Sequence, residues 1–417
     1  VEGMRTPEES EYRTRKSTSL YNRAKQIKIK EDIMLKKMFQ LYDYSFVIVV
    51  FLLALFGLIM VYSSSMVIAV SSKYMVEPDY FFVRQRTWLI ISSFVFLATM
   101  ILPYRVYYKL FKIIALGSII ILGLVFIIGH ASNNAQSWIA IGGFNIQPGE
   151  FVKIGVIIYL AAIFSKKQTY IDEFGTAVLP PLIFTIIIFS LVFFQPDLGT
   201  AVLIALIAVI MTLSSGMNIK NVIKLLGLGG GAIALLIPIA GKILSDEQLS
   251  RFGAAYNPFA DPLDSGMQLI NSYIAIAAGG VTGLGLGNSV QKTGFLPESH
   301  TDFIMAIISE ELGIFGVTFV ILSLCFIVLK GFLLARKCDD PFGSLLAIGI
   351  SGMIGVQACV NLGALTGLLP VTGVPLPFVS YGGSSLLALM ASTGILVNIS
   401  MFCNYRKQKE NFDDLAA

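Results

Sequence analysis

Residues Phe295 to Gly316 read FLPESHTDFIMAIISEELGIFG, and the fold turns on how the run that starts at Phe303 is interpreted. Pro297 pushes the residue before it away from helical backbone, so the stretch opens as a loop. From Phe303 onward, apolar residues dominate for the length that crosses a hydrocarbon core of about 30 Å. Asp302 sits at the seam, and Glu310 and Glu311 follow about two turns further on. A carboxylate at mid-membrane costs on the order of 2.5–3.5 kcal/mol, so three acids along one helix need partners or a task.

The rest of the chain fits that setting. Of its 417 residues, 55% are hydrophobic and 13% charged, roughly half the charged share of a soluble domain. The apolar residues gather into runs of about twenty, which predicts an all-α, polytopic membrane protein with about ten transmembrane helices. The spans lie near residues 45–70, 88–102, 107–129, 150–164, 176–194, 198–213, 222–243, 302–334, 343–366 and 384–403. Lys and Arg fall roughly three to one on the side of the N-terminus, the bias of cytoplasmic loops. Residues 1–44 then form a basic cytoplasmic tail, 45–403 the membrane domain and 404–417 a second cytoplasmic tail. The quoted stretch faces outward, after a large outer loop, 244–301, between the seventh and eighth spans. This composition excludes a soluble enzyme, and nothing in it points to nucleic acid. Cys325, Cys338, Cys359 and Cys403, with His130 and His300, have neither zinc-site spacing nor the look of an outer disulfide.

Polar residues from distant segments meet at the outer side. Residues 133–154, NNAQSWIAIGGFNIQPGEFVKI, carry Trp138, read either as an interfacial anchor or as part of a site. Glu150 and Lys153, three apart, share a helix face and either neutralise each other or contribute to chemistry. Asp197 in QPDLGT reads as the cap of the sixth helix. The glycines of GLGGGAIALL in the seventh span permit close helix approach. The outer loop holds Arg251 and Lys292, and its middle, Gln268 to Ala278, is apolar enough to lie in the interface or re-enter the membrane. Its GLGLG run follows no strand, so a nucleotide loop is not indicated. Residues 361–385, NLGALTGLLPVTGVPLPFVSYGGSS, break a continuous apolar run, which is tolerated where backbone lines a cavity. Thr301 reads as an N-cap that places Asp302 in the first helical turn. Glu310 and Glu311 read as partners of polar groups inside the bundle. Two function classes follow: a transporter with a site between its helices, or an enzyme on a lipid-linked substrate. In the enzyme an acid acts as general base and cations hold a phosphate leaving group.

QPGEFVKI, QPDLGT, the run from NPFADPLDSGMQ to LPESHTDFI and EELG, and LLPVTGVPLPFVSYGGSS occur in this order. Together they resemble the SEDS family of peptidoglycan polymerases over roughly Tyr42 to Asn404. QPGE stands where many members read QPSE, and DFIM where DFIF is commoner; neither change removes a charge. The YDYSF entry to the first span looks more like the FtsW (division) branch than RodA (elongation). The resemblance implies a glycosyltransferase that polymerises lipid II at the outer face of the bacterial cytoplasmic membrane, inverting the donor sugar and releasing undecaprenyl pyrophosphate. It puts the aspartate of the family's TDF motif on Asp302 as the base that deprotonates the acceptor hydroxyl. It puts the tryptophan of QxWI on Trp138. Glu150, Lys153, Arg251 and Lys292 are expected at the substrate, Lys153 and Arg251 at its pyrophosphate, with Asp197, Thr301, Glu310 and Glu311 in support. Expected partners are a class B penicillin-binding protein and other division proteins. No cofactor is specified, and a divalent cation (Mg or Mn) stays open, as does the alternative of a lipid II flippase.

Overall fold

The computed structural model describes residues 40–71, 74–132, 135–236 and 245–416. Most of the expected N-terminal tail, residues 1–39, lies outside the described residues, as does the end of the expected seventh span from 237 on. The chain divides into two compact units, Tyr44–Ile399 and a small one of Val1–Asp43 with Ser400–Ala417. Within the small unit Asn404 Nδ2 donates to Leu41 O at 2.9 Å.

The helices are α1 (Tyr44–Val70), α2 (Tyr80–Ile101), α3 (Arg105–Ile128), α4 (Pro148–Lys166), α5 (Leu179–Phe193), α6 (Leu198–Leu213), α7 (Ile219–Leu236), α8 (Asp246–Tyr256), α9 (Met267–Gly279), α10 (Ile304–Lys337), α11 (Pro341–Leu365) and α12 (Gly383–Ala416). Pro148 and Pro341 sit at helix starts, where a missing N–H leaves no bond unmade. Among the described residues eight helical stretches are long and apolar enough to cross a membrane: α1 to α4, α5 together with the helical turn before it (Phe174–Phe193), and α10 to α12. The sixth expected crossing is the 16-residue α6, and the seventh is described only as α7. The second begins at Tyr80, earlier than expected, so Arg84 and Arg86 lie on a helix.

Burial separates centre from rim. In α4 and α12, 78% of the best apolar window is buried and in α11 72%, against 22% in α3 and 28% in α10. The first three form the core, and the last two turn most of their surface outward, toward lipid. Among the described residues the glycines of α7 do not bring a neighbour close: a Cβ added at Gly227, Gly229, Gly230 or Gly231 would meet nothing within 4 Å. The polar loop after α3 folds into a small antiparallel sheet, β1 (His130–Ser132), β2 (Ala135–Ile141) and β3 (Phe144–Ile146), in that order, with Ile139 opposite Ile146.

The long connection between α7 and α10 contains two helices among its described residues. α8 starts with a capping box in which Ser245 Oγ accepts from Gln248 N and Gln248 Oε1 from Ser245 N. α9 descends beside α10: a Cβ on Gly279 would strike Ser309 O, roughly 8 Å along α10 from its start. There α10 is broken at Gly313, whose φ of 60° and ψ of −150° are not helical. The break frees two carbonyls, and the incoming loop satisfies them: Leu284 N donates to Glu310 O and Gly285 N to Glu311 O, both at 2.9 Å, while Ile314 N donates to Val281 O at 3.1 Å. Irregular backbone inside a long apolar helix is tolerated where the freed groups, here the Glu310 and Glu311 carbonyls and the Ile314 N–H, find protein partners. The GLGLG run serves that contact, since a Cβ on Gly283 would lie 2.2 Å from Glu311 O.

Candidate active site

Two segments that break the helical pattern are stitched together. Asn361 Nδ2 donates to Asp302 O and to Val374 O, each at 2.8 Å. Ser380 Oγ donates to Thr301 O at 2.6 Å and accepts from Leu376 N at 2.8 Å, and Tyr381 N donates to His300 O at 2.9 Å. The 298–303 turn is thereby held against the 374–381 segment. On the far side, Gly57 of α1 is so close that a Cβ would sit 2.7 Å from Phe378 O.

These segments wall an open cavity of about 980 Å³. Asp302, Thr301, Glu298, Arg251, Arg84, Asp197 and Trp138 are on its lining, with Gln248 and Gln268. Aromatic rings cluster on the same wall: Phe81 lies 4.5 Å from His300 and 5.2 Å from Tyr381, centroid to centroid. Arg84 stacks over Tyr80 at 5.1 Å and donates to Gly143 O beyond β2.

Asp302 precedes the first turn of α10. The expected N-cap role of Thr301 does not hold: the helix begins at Ile304, and Thr301 Oγ1 instead bonds Glu298 O at 3.1 Å and Glu298 Oε2 at 2.9 Å. Glu298 adopts φ +54°, a left-handed conformation that a non-glycine residue keeps only when its surroundings enforce it. Burial pushes the Asp302 carboxyl from its ordinary value of 3.8 up to about 7; the Glu298 charge adds to the rise and the Arg251 guanidinium opposes it. Such a group can exchange a proton near neutrality. Asp197 caps α6, accepting from Thr200 N at 3.1 Å, and takes Gln147 Nε2 at 2.6 Å; burial raises its carboxyl as well.

The sequence profile of the FtsW/RodA/SpoVE family, described as cell cycle protein, matches residues 43–405. This chain belongs to that family. It is 54% identical over 389 residues to the probable peptidoglycan glycosyltransferase FtsW of Bacillus subtilis, covering 92% of this chain and 96% of that one. It is 38% identical over 370 residues to the stage V sporulation protein E of the same organism, covering 87% and 98%. Among solved structures it is similar to a chain of a peptidoglycan synthase complex that coordinates polymerization and crosslinking (TM-score 0.70, 25% identity, 87% and 98% covered). It is also similar to the rod shape determining protein RodA of Thermus thermophilus (TM-score 0.63, 25% identity, 86% and 96% covered). The chain is a multi-pass protein of the cytoplasmic membrane.

Within this FtsW/RodA/SpoVE fold the residues singled out from sequence part into two sets. Asp302, Thr301, Arg251, Asp197 and Trp138 reach the cavity. Glu150 and Lys153 do not line it. They form a buried ion pair at 2.9 Å two hydrogen bonds behind the wall, where Lys153 Nζ donates to Gln357 Oε1 at 3.3 Å. Gln357 Nε2 in turn holds Pro375 O and Ser385 Oγ, and Pro375 and Ser385 line the cavity. Lys292, expected at the substrate, is instead buried against Glu311 at 2.6 Å, with Ser63 Oγ at 3.1 Å from its ammonium. The cause is the loop that docks on the α10 break and carries Lys292 inward. Glu310 accepts from Val290 N at 2.8 Å and from the Ser289 hydroxyl.

Arg84, Glu298 and Tyr381 on the wall, and Asn361 behind it, are the residues that sequence reasoning passed over. Glu298 had a signal, since it stands four residues before Asp302 in the same short turn. Among the described residues, no three of His, Cys, Asp and Glu converge as a metal site.

Proposed function

We propose that this chain is a peptidoglycan glycosyltransferase that polymerises lipid II into glycan strands at the outer face of the membrane during cell division. The observation that carries the reading is Asp302, raised to about 7, on the wall of a cavity that Arg84 and Arg251 share. The identity to a probable FtsW glycosyltransferase supports the substrate class and the division branch, and the positive-inside bias supports an outward-facing cavity.

In this mechanism Asp302 takes the proton of the acceptor sugar's 4-hydroxyl as that oxygen attacks the anomeric carbon of the donor. The new glycosidic bond forms as the bond to the pyrophosphate breaks, with inversion, and undecaprenyl pyrophosphate leaves with the electron pair. Arg84 and Arg251 offset the charge that develops on the leaving group. Trp138 presents a ring to the substrate. Lys153 and Glu150 act from behind the wall by holding Gln357, hence the Pro375 segment. A class B penicillin-binding protein is the proposed partner, in keeping with the likeness to a synthase complex in which polymerization and crosslinking are coordinated.

The test is polymerisation of purified lipid II by the purified chain with its partner, against Asp302→Asn. Glycan product from wild type and none from the variant is expected. Normal product from the variant removes Asp302 as base; lipid II crossing vesicles without product replaces the enzyme with a flippase.

A further inference from the structure

Beside Asp302 the outer cavity has an annex of about 10 Å³, room for one water molecule. Asp302, Asn361, Thr372 and Gly373 are on its wall, and Asp302, Thr372 and Gly373 line the large cavity too. Among the described residues, two solvent-shielded oxygens here, Asn361 Oδ1 and Thr372 Oγ1, have no hydrogen-bond partner. Asn361 is buried, and its amide can point only one way: its nitrogen is committed to the Asp302 and Val374 carbonyls, which need a donor. Its oxygen is therefore the atom in want of a donor, and buried polar atoms of this kind are ordinarily satisfied by protein or ordered water. Gly373 brings the backbone up to the carboxylate, since a Cβ there would lie 3.6 Å from Asp302 Oδ2, and its φ of +74° favours glycine.

We propose that the annex holds one ordered water bridging Asn361 Oδ1, Thr372 Oγ1 and the Asp302 carboxylate, which makes Asn361 and Thr372 positioning residues for the base. The water donates to Asn361 Oδ1 and to Asp302 and accepts from the Thr372 hydroxyl. Three bonds is the usual number for a buried water. The bridge pins one carboxylate oxygen toward the annex and leaves the other turned to the large cavity, where the acceptor hydroxyl arrives. It also favours the ionised carboxylate. The inference rests on Asp302 acting as the base. The other ionisable groups on these walls are Glu298 in the same turn, Arg251 on α8, Arg84, Tyr80 and Tyr74 around α2, Asp197 before α6, and His300 and Tyr381. A change at Thr372 alters the charge of none of them.

The test is steady-state polymerisation of lipid II across pH by the full chain with its partner, comparing Thr372→Val, which removes only the hydroxyl, with Thr372→Ser, which keeps it. Thr372→Val is expected to lower kcat on the order of tenfold, leave KM within about twofold, and move the acid limb of the rate profile to higher pH. Thr372→Ser is expected to restore all three. Thr372→Ala carries the same expectation should the valine variant fail to accumulate. Wild-type kinetics in Thr372→Val, or an equal defect in Thr372→Ser, overturns the proposal. So does recovery of Thr372→Val on adding Mg or Mn, which would mark a cation site. Asp302→Asn run alongside separates the two claims: if it is active, the base assignment fails; if it is inactive beside a normal Thr372→Val, only the water bridge fails.

Discussion

Lys292 Nζ lies 2.6 Å from Glu311 Oε1, in a pair whose side chains are 4% and 0% exposed. Ser63 of α1 bonds both members, so this pair ties the docked loop, α10 and the first span at one point. Removing one partner leaves the other charge buried. Lys292→Ala is therefore expected to destabilise the protein by about 3–5 kcal/mol, and Lys292→Met with Glu311→Leu by less. Thermal unfolding of the purified variants checks the order; a double variant worse than the single contradicts it.

Gly313 allows the break in α10. Alanine there would need φ near +60° and would place its Cβ 2.4 Å from Val281 O. Gly313→Ala is expected to cost on the order of 1–3 kcal/mol from the backbone alone, with the clash in addition. The expected readout is a lower melting temperature together with protease cleavage in the 281–293 loop, because the loop loses its docking site.

Asp302 links stability and activity to pH with opposite signs. Its carboxyl titrates near 7 in the fold against an ordinary 3.8. Between those values the folded chain holds a proton that the unfolded chain has released. The group's contribution is thus fullest below about 4 and declines as pH rises to about 7. In the proposed mechanism activity needs the ionised base, so the rate is expected to fall roughly tenfold per pH unit below 7 and level off above it. Glu298→Gln removes a neighbouring negative charge and should move this limb to lower pH. Rates measured across pH for both proteins decide it, and an unmoved limb would count against Glu298 as a neighbour that matters.

In the proposed mechanism Arg251 offsets charge on the leaving group rather than holding the sugar. Arg251→Ala is expected to reduce kcat on the order of 10²-fold, the loss typical of one electrostatic stabiliser, with a smaller change in KM. Single-turnover rates with saturating lipid II separate the two effects. Lys292→Ala offers the contrast, since its loss should appear as instability before it appears in kcat.

Much of the architecture was legible in the chain because lipid partition is local. A run such as α1 or α10 is apolar over its own length, and no distant contact is needed to put it in a membrane. Asp302 was legible for the same reason, as a charge at the edge of such a run. The start of α2 was not, because Arg84 and Arg86 look like loop residues until Tyr80 and Phe82 are seen to stack with them. Thr301 was misread as a cap because its hydroxyl has a nearer acceptor in Glu298, and that depends on a left-handed turn.

The sequence by itself determined a polytopic helical membrane protein, its family, and an aspartate at the start of the eighth expected span, since hydropathy and motif order are properties of consecutive residues. The tertiary structure alone decided which charges meet the cavity. Arg84 and Arg251 line it, while Lys153 and Lys292 are drawn behind it by Glu150, Gln357, Glu311 and Ser63. Residues 229 apart in the chain, Ser63 and Lys292, share one hydrogen bond. Burial of that kind follows from packing between segments, and no local pattern carries it.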